Sequence, residues 1–581
     1  MNPDLPQQPP PQPPQEPEVR YREEPEPRKS PPVFQPMLYA LVLVVGLALG
    51  MQTGGFENQR VMMGAGESRG RLVHILDQIE HTYVDPIMRD ELEAVAVDAI
   101  LEKLDPHSYY FSPEEIAAMA EPMEGNFEGI GVEFLINADT LRVVQTIAGG
   151  PSEEAGIRAG DCIVAVEGEP ISGPDLTNAR VLELLKGPRG TEVRIGIHRL
   201  GKAPFDVTLE RDEIPIHSVV AAAQIPDSDT GYIKVVRFAS NTAEEFEAAM
   251  EQLDAAALKK VVVDLRGNGG GYLNAVVPMV KSFLRKGQMV VYTEGSHSPR
   301  RTYKASRDGR WVDWDLAVLI DESSASASEI FAGAIQDNDR GVTIGRRSFG
   351  KGLVQEEFGL PGSGALRLTV ARFYTPTGRA IQKPYGLDVD YGDDYVERYD
   401  SGELFHRDSI PQPDSLRYET PGGRVVFGGG GITPDVFVPF DTSSYSNFLA
   451  DVTWAGILRD AAFDFVDGRR TDLEGLPDWQ SLPEATFEDA VEVLVAAADS
   501  AGFVVPDFAD WERDVIRQRM GAQVARNLFG ESAYHEVMLG QDRMVGEARV
   551  WLEKPEDQQV VAGELTLQTK QSQQNSTQNG I

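Results

Sequence analysis

The spacing of apolar positions divides the chain into segments with different periods. From Arg71 to Lys103 apolar side chains recur at helical spacing and are interrupted at "YVDP", which predicts an N-terminal helical module over residues 66–123. Over residues 124–212 the pattern changes to short β-rich runs separated by glycine turns, with one helix-like stretch, "LTNARVLELLK". This second segment is typical of a small β-rich binding module.

A third segment, residues 213–441, alternates strand and helix patterns. The apolar runs "GYIKVVRF", "KKVVVDLRG", "LAVLIDE" and "ALRLTVARFY" predict strands, and "TAEEFEAAMEQL" and "LNAVVPMVKSFL" predict helices between them. Such alternation predicts an α/β core with a mixed sheet, whose chemistry lies at the carboxyl ends of the strands. Residues 386–431 interrupt this pattern as a polar insertion.

The two ends of the chain differ from this core. Residues 442–555 predict a helical C-terminal domain, in which one helix face carries Phe487, Val491, Leu494 and Ala498. Residues 1–36 are rich in Pro, Gln and Glu, and residues 556–581 end in a low-complexity polar stretch. Both are predicted to be disordered tails, because they cannot bury enough apolar surface to fold.

Residues 37–53 contain an uncharged apolar run, "MLYALVLVVGLALGM". As a helix this run rises only ~22 Å, short of the ~30 Å of a bilayer core unless its flanks contribute, so a signal peptide is an alternative to a permanent anchor. The long preceding segment favours an uncleaved, single-pass anchor. Basic residues before the run place the N-terminus in the cytoplasm and predict an inner-membrane protein whose main part faces the periplasm.

Charge and cysteine usage exclude two classes of interaction. The formal net charge is −37, so the chain lacks the clustered cations that nucleic-acid binding needs. The single cysteine, Cys162, cannot form an intrachain disulfide. Its run, "DCIVAV", predicts an inert, buried position on a strand.

A glycine cluster, "DLRGNGGGYL", directly follows the strand "KKVVV". Glycines at this place let backbone N–H groups bind an anion, which is either a phosphate or a developing oxyanion. The cluster lacks the Lys-Ser/Thr pair of a phosphate-binding P-loop. A plain tight turn is the alternative interpretation.

Ser326 lies on a turn between a predicted strand and a predicted helix. A serine there exposes its hydroxyl beside free backbone amides, as a nucleophile requires, but Ser326 and Glu329 also match a helix capping box. Lys351 stands between two glycines in "FGKGLVQ", and the eight histidines lie outside these clusters. A Ser–Lys pair is therefore the more economical hypothesis, although a distant histidine could fold in and Lys351 could be a solvated surface charge.

These motifs resemble those of the C-terminal processing, or tail-specific, serine proteases. The resemblance runs from about Leu72 to Phe440 and is carried by "LDPHSYYF", "FEGIGVEF", "GGPSEEAGIRAGDCIVAVEG", "LLKGPRGTEV", "SASASEIFAGAIQDNDR", "FGKGLVQ", "YTPTGRAIQKPY" and "GITPDVFV". It implies that Ser326 is the nucleophile, Lys351 the general base and Gln355 the residue that orients the lysine. It further implies an oxyanion hole from Ala327 with Gly271 or Gly270, and a supporting role for Asp337 near the site.

The same resemblance assigns the 124–212 segment to the PDZ domains. Gly129, Ile130, Gly131 and Val132 would then bind the carboxylate of a peptide C-terminus. Lys186 would contact the catalytic domain and gate it, with a solvated surface lysine as the alternative. The implied partners are protein or peptide substrates with accessible C-termini, the membrane, and either further copies of the chain or an adaptor protein.

The predicted function is thus a serine endopeptidase that cleaves envelope proteins recognised by their C-terminal ends. Its Ser–Lys chemistry requires no metal or organic cofactor. Two alternatives belong to other classes. One is an inactive PDZ adaptor at the membrane, and the other is an acyl-transfer enzyme that uses the same oxyanion hole.

Overall fold

The computed structural model describes residues 70–567, apart from 138, 148, 200, 361–363, 387–390, 443–445, 474 and 555–557. The predicted tail over residues 1–36 and the predicted anchor over residues 37–53 therefore lie outside the described residues. Within the described part, no helix combines the length and the apolar character needed to cross a membrane.

Among the described residues, 70–96 belong to one compact unit and 97–567 to another. Helix Arg71–Thr82 ends just before "YVDP", and helix Arg89–Leu101 begins just after it. The Arg89 guanidinium, at the start of the second helix, pairs with Asp77 and lies 3.2 Å from Glu80 of the first. The break that the apolar spacing predicts is therefore bridged by ion pairs.

The β-rich module is built on one antiparallel sheet. Its strands, in spatial order, are Val132–Asn137, Thr140–Thr146, Cys162–Val166, Glu192–His198 and Phe205–Glu210, and Glu169–Pro170 pairs with the third. Helices Pro151–Glu154 and Asn178–Leu185 complete the module. Strands Asn126–Gly129 and Asp212–Pro215 pair with each other. The chain therefore enters and leaves the module at the same place. Cys162 lies half-buried on its strand, and burial raises the pKa of its thiol.

The α/β core contains a mixed six-stranded sheet. Its strands, in spatial order, are Val219–Gln224, Thr230–Val235, Lys260–Asp264, Asp315–Ile320, Val342–Gly345 and Val436–Phe437. Only the first pairing is antiparallel. Helices Thr242–Ala255, Leu273–Lys281 and Ala327–Asp337 pack their apolar sides on one face, because the crossovers between parallel strands need helices to cover the sheet.

A second, antiparallel sheet stands beside this core. It consists of Tyr109–Phe111, Ala365–Tyr374, Met289–Glu294 and Arg301–Lys304, with Leu353–Gly359 also paired to Ala365–Tyr374. Helix Pro113–Glu124 connects Tyr109–Phe111 to the β-rich module and starts with a capping box at Ser112. The segment that carries Lys351 joins the two sheets, since it leaves Val342–Gly345 and enters Leu353–Gly359.

The insertion over residues 386–431 is more ordered than its polar composition suggests. Its described part forms helix Asp394–Asp400, the single 3-10 turns Arg407–Ser409 and Asp414–Leu416, and a hairpin of Arg417–Glu419 with Val425–Phe427. Arg398, Glu403 and Arg424 are buried. Buried ion pairs therefore help to hold the insertion, together with its buried apolar residues Leu404, Ile410 and Val426.

The C-terminal region is helical but is not a separate domain throughout. Its helices are Asn447–Trp454, Ile457–Gly468, Arg470–Leu473, Glu484–Ser500, Asp510–Phe529, Glu531–Leu539 and Arg543–Glu553, with a 3-10 turn at Trp479–Ser481. The helices from Asn447 to Phe529 share a core of their own, which we call the C-terminal bundle. Helix Arg543–Glu553 instead packs Val545, Ala548 and Leu552 on the second face of the six-stranded sheet. The predicted boundary at residue 442 is wrong for this helix, because the sheet needs a cover on that face.

The predicted disorder of residues 556–581 is also wrong in part. Strands Gln558–Val561 and Glu564–Leu567 form a hairpin. The Val425 N–H donates to the Gly563 carbonyl at 2.8 Å, which joins this hairpin to the insertion. Residues 568–581 lie outside the described residues.

Candidate active site

Ser326 lies at the start of helix Ala327–Asp337, after the turn that follows strand Asp315–Ile320. Its backbone has φ 54° and ψ −108°, a left-handed conformation that costs a residue with a Cβ of order 1–3 kcal/mol. The surrounding structure holds this strain, and its location at the helix N-terminus exposes Ser326 to a cavity of about 690 Å³. Strain stored at such a turn is typical of an activated side chain.

Glu329 links the turn of Ser326 to the segment of Lys351. Its buried carboxylate accepts four hydrogen bonds, from the N–H groups of Ser326, Gly350 and Lys351 at 2.7–2.8 Å and from the Ser348 hydroxyl at 2.6 Å. The sequence predicted only the first of these contacts, as part of a capping box. Glu329 does more, because it fixes the backbones of Ser326 and Lys351 relative to each other.

Asn268 organises the glycine cluster against the serine turn. It is fully buried, and its carbonyl accepts from the Ala325 N–H at 3.0 Å and from the Ser328 hydroxyl at 2.8 Å. Its side-chain oxygen accepts from the Gly270 N–H at 2.9 Å. The Gly270 amide is thus already engaged, and the expectation that it could serve the oxyanion hole is wrong.

Gly271 keeps its amide available. Phe238 forms a parallel β-bridge with Gly271: the Phe238 N–H donates to the Gly270 carbonyl, and the Tyr272 N–H donates to the Phe238 carbonyl. The N–H of Gly271 therefore points away from Phe238. Gly271 lines the same cavity as Ser326. The N–H of Ala327 belongs to the first helical residue, where intrahelical partners are missing.

Lys351 lines this cavity together with Ser326 and Gln355. Burial of its amine lowers its pKa from the ordinary value, and the nearby Arg367 guanidinium lowers it further, while Glu329 and Asp105 act in the opposite direction. Lys351 is therefore not a solvated surface charge. A lowered pKa makes the neutral amine, the form that can accept a proton, easier to reach.

Gln355 lies on strand Leu353–Gly359, where a β-bulge at Val354 and Gln355 changes the register with strand Ala365–Tyr374. Bulges next to active sites re-aim side chains. The Nε2 atom of Gln355 is buried and has no hydrogen-bond partner among the residues that the structure describes. A buried donor beside a cavity can bond to a ligand that enters the cavity or to a neighbouring side chain that moves.

One histidine does fold in near the lysine. Burial and then the charge of Lys351 lower the pKa of His107 to about 4. The imidazole is thus neutral at ordinary pH, and its Nε2 bonds to the Tyr391 hydroxyl at 3.0 Å. His107 therefore contributes to the surroundings of Lys351 while it is engaged by the insertion.

Asp337 does not lie at this site. It ends the helix that Ser326 begins, and eleven steps of 1.5 Å rise separate the two residues by about 16 Å. Its carboxylate accepts from the fully buried Arg379 guanidinium at 2.6 Å and from the Thr377 hydroxyl at 2.6 Å. The expected supporting role near the nucleophile is wrong, and Asp337 instead anchors the far end of the helix.

The predicted carboxylate-binding loop joins strands Asn126–Gly129 and Val132–Asn137. Ile130 is buried, Gly131 has φ +73°, and both the N–H and the hydroxyl of Ser152 donate to the Ile130 carbonyl. The carbonyl of Leu185, at the end of helix Asn178–Leu185, lies beside Gly129. Strand Val132–Asn137 is at the edge of its sheet, so it can pair with an added strand.

Lys186 caps the end of helix Asn178–Leu185 and makes specific contacts. Its amine bonds to Glu121 and lies 5.2 Å from the centre of the Phe127 ring. Glu121 belongs to helix Pro113–Glu124, which contributes Ile116, Met119, Ala120, Met123 and Glu124 to the wall of the active-site cavity. Lys186 therefore contacts, through Glu121, a helix that lines the same cavity as Ser326.

Two residues of this site escaped sequence reasoning. Asn268 sits inside the run "RGNGGG", and its side chain was the only signal for a polar hub there. Glu329 was noticed, but a capping box explained it completely. Neither position can be recognised locally, because each role depends on segments that meet only in the folded chain.

Comparison with known proteins gives a consistent identity for these regions. Residues 229–392 match the model of Peptidase family S41, and residues 142–199 match that of the PDZ domain. The carboxy-terminal-processing protease of Bartonella bacilliformis is 35% identical over 317 residues, which cover 54% of this chain and 72% of that protein. The carboxy-terminal processing protease CtpA of Bacillus subtilis is 30% identical over 353 residues, which cover 60% and 75%.

A solved structure of the photosystem II D1 C-terminal processing protease is 26% identical and covers 65% of this chain and 94% of its own, with a TM-score of 0.31.

Proposed function

Because the chain belongs to the carboxy-terminal processing proteases of peptidase family S41, we propose that it cleaves peptide bonds with Ser326 as nucleophile and Lys351 as general base. One observation carries this assignment. Ser326 and Lys351 line the same cavity, and a single buried carboxylate, that of Glu329, binds the backbone of both. The strained backbone of Ser326 and the lowered pKa of Lys351 agree with these roles.

In this proposal the neutral Lys351 amine accepts the Ser326 hydroxyl proton while Oγ attacks the peptide carbonyl carbon. The N–H groups of Ala327 and Gly271 donate to the oxygen on which negative charge develops. The lysine then returns the proton to the leaving amine, and water hydrolyses the acyl-enzyme by the same route. Gln355 is a positioning residue, whose carbonyl oxygen accepts an N–H of the amine and leaves the lone pair for serine.

The cavity also supports a preference for apolar side chains at the cleaved bond. Beside the polar groups it is lined by Phe111, Ile116, Met119, Met123, Leu273, Ile330, Leu353 and Phe373. An apolar residue that enters this cavity removes hydrocarbon surface from water at about 25 cal/mol per Å².

The PDZ domain supplies the recognition of substrate ends in this proposal. Gly129, Ile130, Gly131 and Val132 would bind the terminal carboxylate, and strand Val132–Asn137 would pair with the incoming chain. The contact from Lys186 through Glu121 to the cavity wall supports a gate that peptide binding biases.

Incubation of the full-length protein with an unstructured polypeptide, followed by mass spectrometry of the fragments, tests the assignment. Ser326→Ala, Lys351→Ala and Lys351→Arg should each abolish cleavage, since a guanidinium has a pKa above about 12 and cannot accept the proton. Ser323→Ala removes an exposed serine of the same turn and should leave cleavage unchanged. Cleavage by Lys351→Arg would overturn the proposed base.

We further propose that residues 37–53 anchor the chain in the cytoplasmic membrane, with the catalytic region in the periplasm. The uncharged run and the basic residues before it support this topology. Reporter fusions at Pro36 and at Ser443 should then report opposite compartments. A soluble mature form that begins near Met51 would show instead that the segment is a cleaved signal.

A further inference from the structure

The segment that carries Lys351, residues 346–352, has little regular structure of its own, and we call it the base loop. It links strand Val342–Gly345 to strand Leu353–Gly359, and only its end residues bond to the sheets: Arg346 donates to the Ile320 carbonyl, and Gly352 accepts from the Phe373 N–H. A buried backbone outside sheets and helices needs other hydrogen-bond partners. Where those partners come from decides what holds the general base in place.

The N–H groups of the base loop bond mainly to the catalytic core. Phe349 donates to the Ser324 carbonyl at 3.0 Å, Gly350 and Lys351 donate to Glu329, and Gly352 donates to the side chain of Gln382 at 2.8 Å. This side of the loop faces the serine turn. It is made of residues that the family motifs contain.

The carbonyl side of the base loop bonds to the insertion. The Arg398 guanidinium, on helix Asp394–Asp400, donates to three consecutive carbonyls, those of Arg347 and Ser348 at 3.0 Å and that of Phe349 at 3.1 Å. The Arg398 side chain is only 3% exposed. A rigid, planar guanidinium with five donors in a fixed arrangement is better suited to hold three acceptors at once than the flexible ammonium of a lysine.

Two further contacts come from the same insertion. Glu403, which is buried, accepts two hydrogen bonds of 2.7 Å from the Arg347 guanidinium. The Tyr391 ring packs edge-on against Phe349, and its hydroxyl bonds to His107, the residue whose pKa Lys351 depresses. The insertion therefore contacts the base loop at Arg347, Ser348 and Phe349. Through Tyr391 it also contacts His107, which lies near Lys351.

We propose that the insertion positions the general base, with Arg398 as the principal positioning residue that fixes the base loop through three backbone carbonyls. This inference rests on the proposed role of Lys351. Arg398 and Glu403 lie beyond residues 229–392, the segment that matches the peptidase family model. The chain thus uses residues outside that segment to hold the amine at the nucleophile and away from water.

The test compares Arg398→Ala and Arg398→Lys with wild type and with Arg407→Ala, in the full-length protein. Arg407 lies in the same insertion but is 41% exposed and pairs only with Glu564 among the described residues. The substrate is a short fluorogenic peptide, and a serine-reactive phosphonate counts active sites. For each variant, kcat per active site, KM and the pH profile of kcat/KM are measured.

Arg398→Ala should lower kcat per active site by about 100-fold, because a misplacement of about 1 Å has that cost, while KM changes little. Its ascending pH limb should move to higher pH, since a looser loop admits water to the Lys351 amine. Added methylguanidine should restore part of the rate. Arg398→Lys should lose less, about tenfold, and Arg407→Ala should match wild type.

An Arg398→Ala protein with normal kcat per active site would overturn the inference, as would a loss that appears only in the number of active sites with an unmoved pH limb. If Arg398→Ala does not fold, Arg398→Lys and Tyr391→Phe decide by the same readouts. If Lys351→Ala remains active, the proposed base is wrong and the inference falls with it. If Lys351→Ala is inactive while both Arg398 variants match wild type, only the inference fails.

Discussion

At the scale of single residues, the active site depends on two buried polar hubs that contact no substrate. Asn268 fixes the glycine cluster against the serine turn, and Glu329 fixes the serine turn against the base loop. Buried polar groups of this kind are stabilising only when every donor and acceptor is paired, and that requirement makes the arrangement specific. The positions of Ser326 and Lys351 therefore depend on the hydrogen bonds of Asn268 and Glu329.

The pH dependence of cleavage should report the environment of Lys351. The active form of the amine is neutral, so activity rises with pH through the lysine pKa, and a lowered pKa moves that rise below the ordinary value of 10.5. Arg367→Gln removes a positive neighbour that lowers this pKa. We therefore expect its ascending limb, measured as kcat/KM against pH, to shift to higher pH.

Arg372→Gln is the matched control for that shift. Arg372 lies on the same strand, is exposed and bonds to the Tyr385 hydroxyl at 3.2 Å. Its profile should coincide with that of wild type. Equal shifts in both variants, or none in Arg367→Gln, would show that Arg367 does not tune the lysine.

Gly271→Ala should damage the oxyanion hole. A Cβ at this position would lie 2.2 Å from the Phe238 carbonyl oxygen, and the backbone has φ +147°, so the amide must move. Loss of one oxyanion donor costs about 10²–10³-fold in kcat. Gly267→Ala, in the same loop with φ +69° and open space around it, should retain activity in the same assay. Near-normal kcat for Gly271→Ala would remove Gly271 from the oxyanion hole.

Sequence reasoning singled out Ser326, Lys351, Gln355 and Gly271, which line one cavity, from their local settings and from the family resemblance. It placed Asp337 near the site from the family resemblance, whereas the helix that begins at Ser326 carries that residue to its far end. It admitted Gly270, whose amide is occupied by a neighbour two residues earlier. Local pattern predicts which groups are available, and tertiary contacts decide which of them are already used.

At the scale of elements, helix Pro113–Glu124 connects peptide recognition to the active site. Its residues line the cavity of Ser326, and its Glu121 bonds to Lys186 of the PDZ domain. The helix starts at a capping box and ends at Gly125 with φ +84°, so both of its limits are fixed. This helix therefore contacts both the PDZ domain and the cavity wall, and the proposed gate would act through it.

Lys186→Met should lower the turnover of a protein substrate while leaving the affinity for a C-terminal peptide nearly unchanged. The expected loss is about 5- to 150-fold, the range of a coupling of about 1–3 kcal/mol. Turnover is measured by gel assay and peptide affinity by fluorescence anisotropy. Arg180→Met, which breaks an exposed ion pair with Glu183 on the same helix, is the control.

The charge-reversed pair Lys186→Glu with Glu121→Lys should recover part of the lost turnover. Recovery would show that the contact itself matters rather than either residue alone. Normal turnover in Lys186→Met would instead mean that Lys186 is a surface lysine with no role in gating.

The elements themselves followed the apolar pattern closely where burial is one-sided, as in the PDZ strands and helix Glu484–Ser500. The insertion and the C-terminal hairpin did not, because both are stabilised by contacts that leave no periodicity. In the insertion, buried arginines bond to carboxylates and to backbone carbonyls. The polar composition of the insertion is therefore mistaken for that of a solvated loop.

At the scale of the whole catalytic unit, residues 97–581, the C-terminal bundle holds the PDZ domain from the side opposite its core. Phe463 of helix Ile457–Gly468 is fully buried against Leu135 and Val144 of the PDZ sheet. Arg526 donates to Glu133 at 2.7 Å, on the strand that would pair with a substrate end. The domain that reads the substrate is thus braced by a region that the family motifs do not cover.

The helix Arg543–Glu553 makes a similar connection to the core. Its cap, Asp542, accepts two hydrogen bonds from the Arg266 guanidinium, at 3.1 and 2.7 Å, just before the glycine cluster. The C-terminal region therefore contacts both the PDZ domain and the start of the glycine cluster.

Phe463→Ala should release the PDZ domain from the bundle. Removal of a fully buried phenylalanine costs about 3–5 kcal/mol, and here that loss falls on the contact between two modules rather than on a single core. Amide hydrogen exchange, followed by mass spectrometry on the full-length protein, should show faster exchange in strands Val132–Asn137 and Thr140–Thr146 and in helix Ile457–Gly468. Strands Lys260–Asp264 and Asp315–Ile320 of the core should remain protected, since local opening need not involve the whole structure.

Val452→Ala, which opens a fully buried position inside the bundle core, should accelerate exchange in the bundle and leave the PDZ strands unchanged. Unchanged exchange of the PDZ strands in Phe463→Ala would mean that the bundle does not brace the domain.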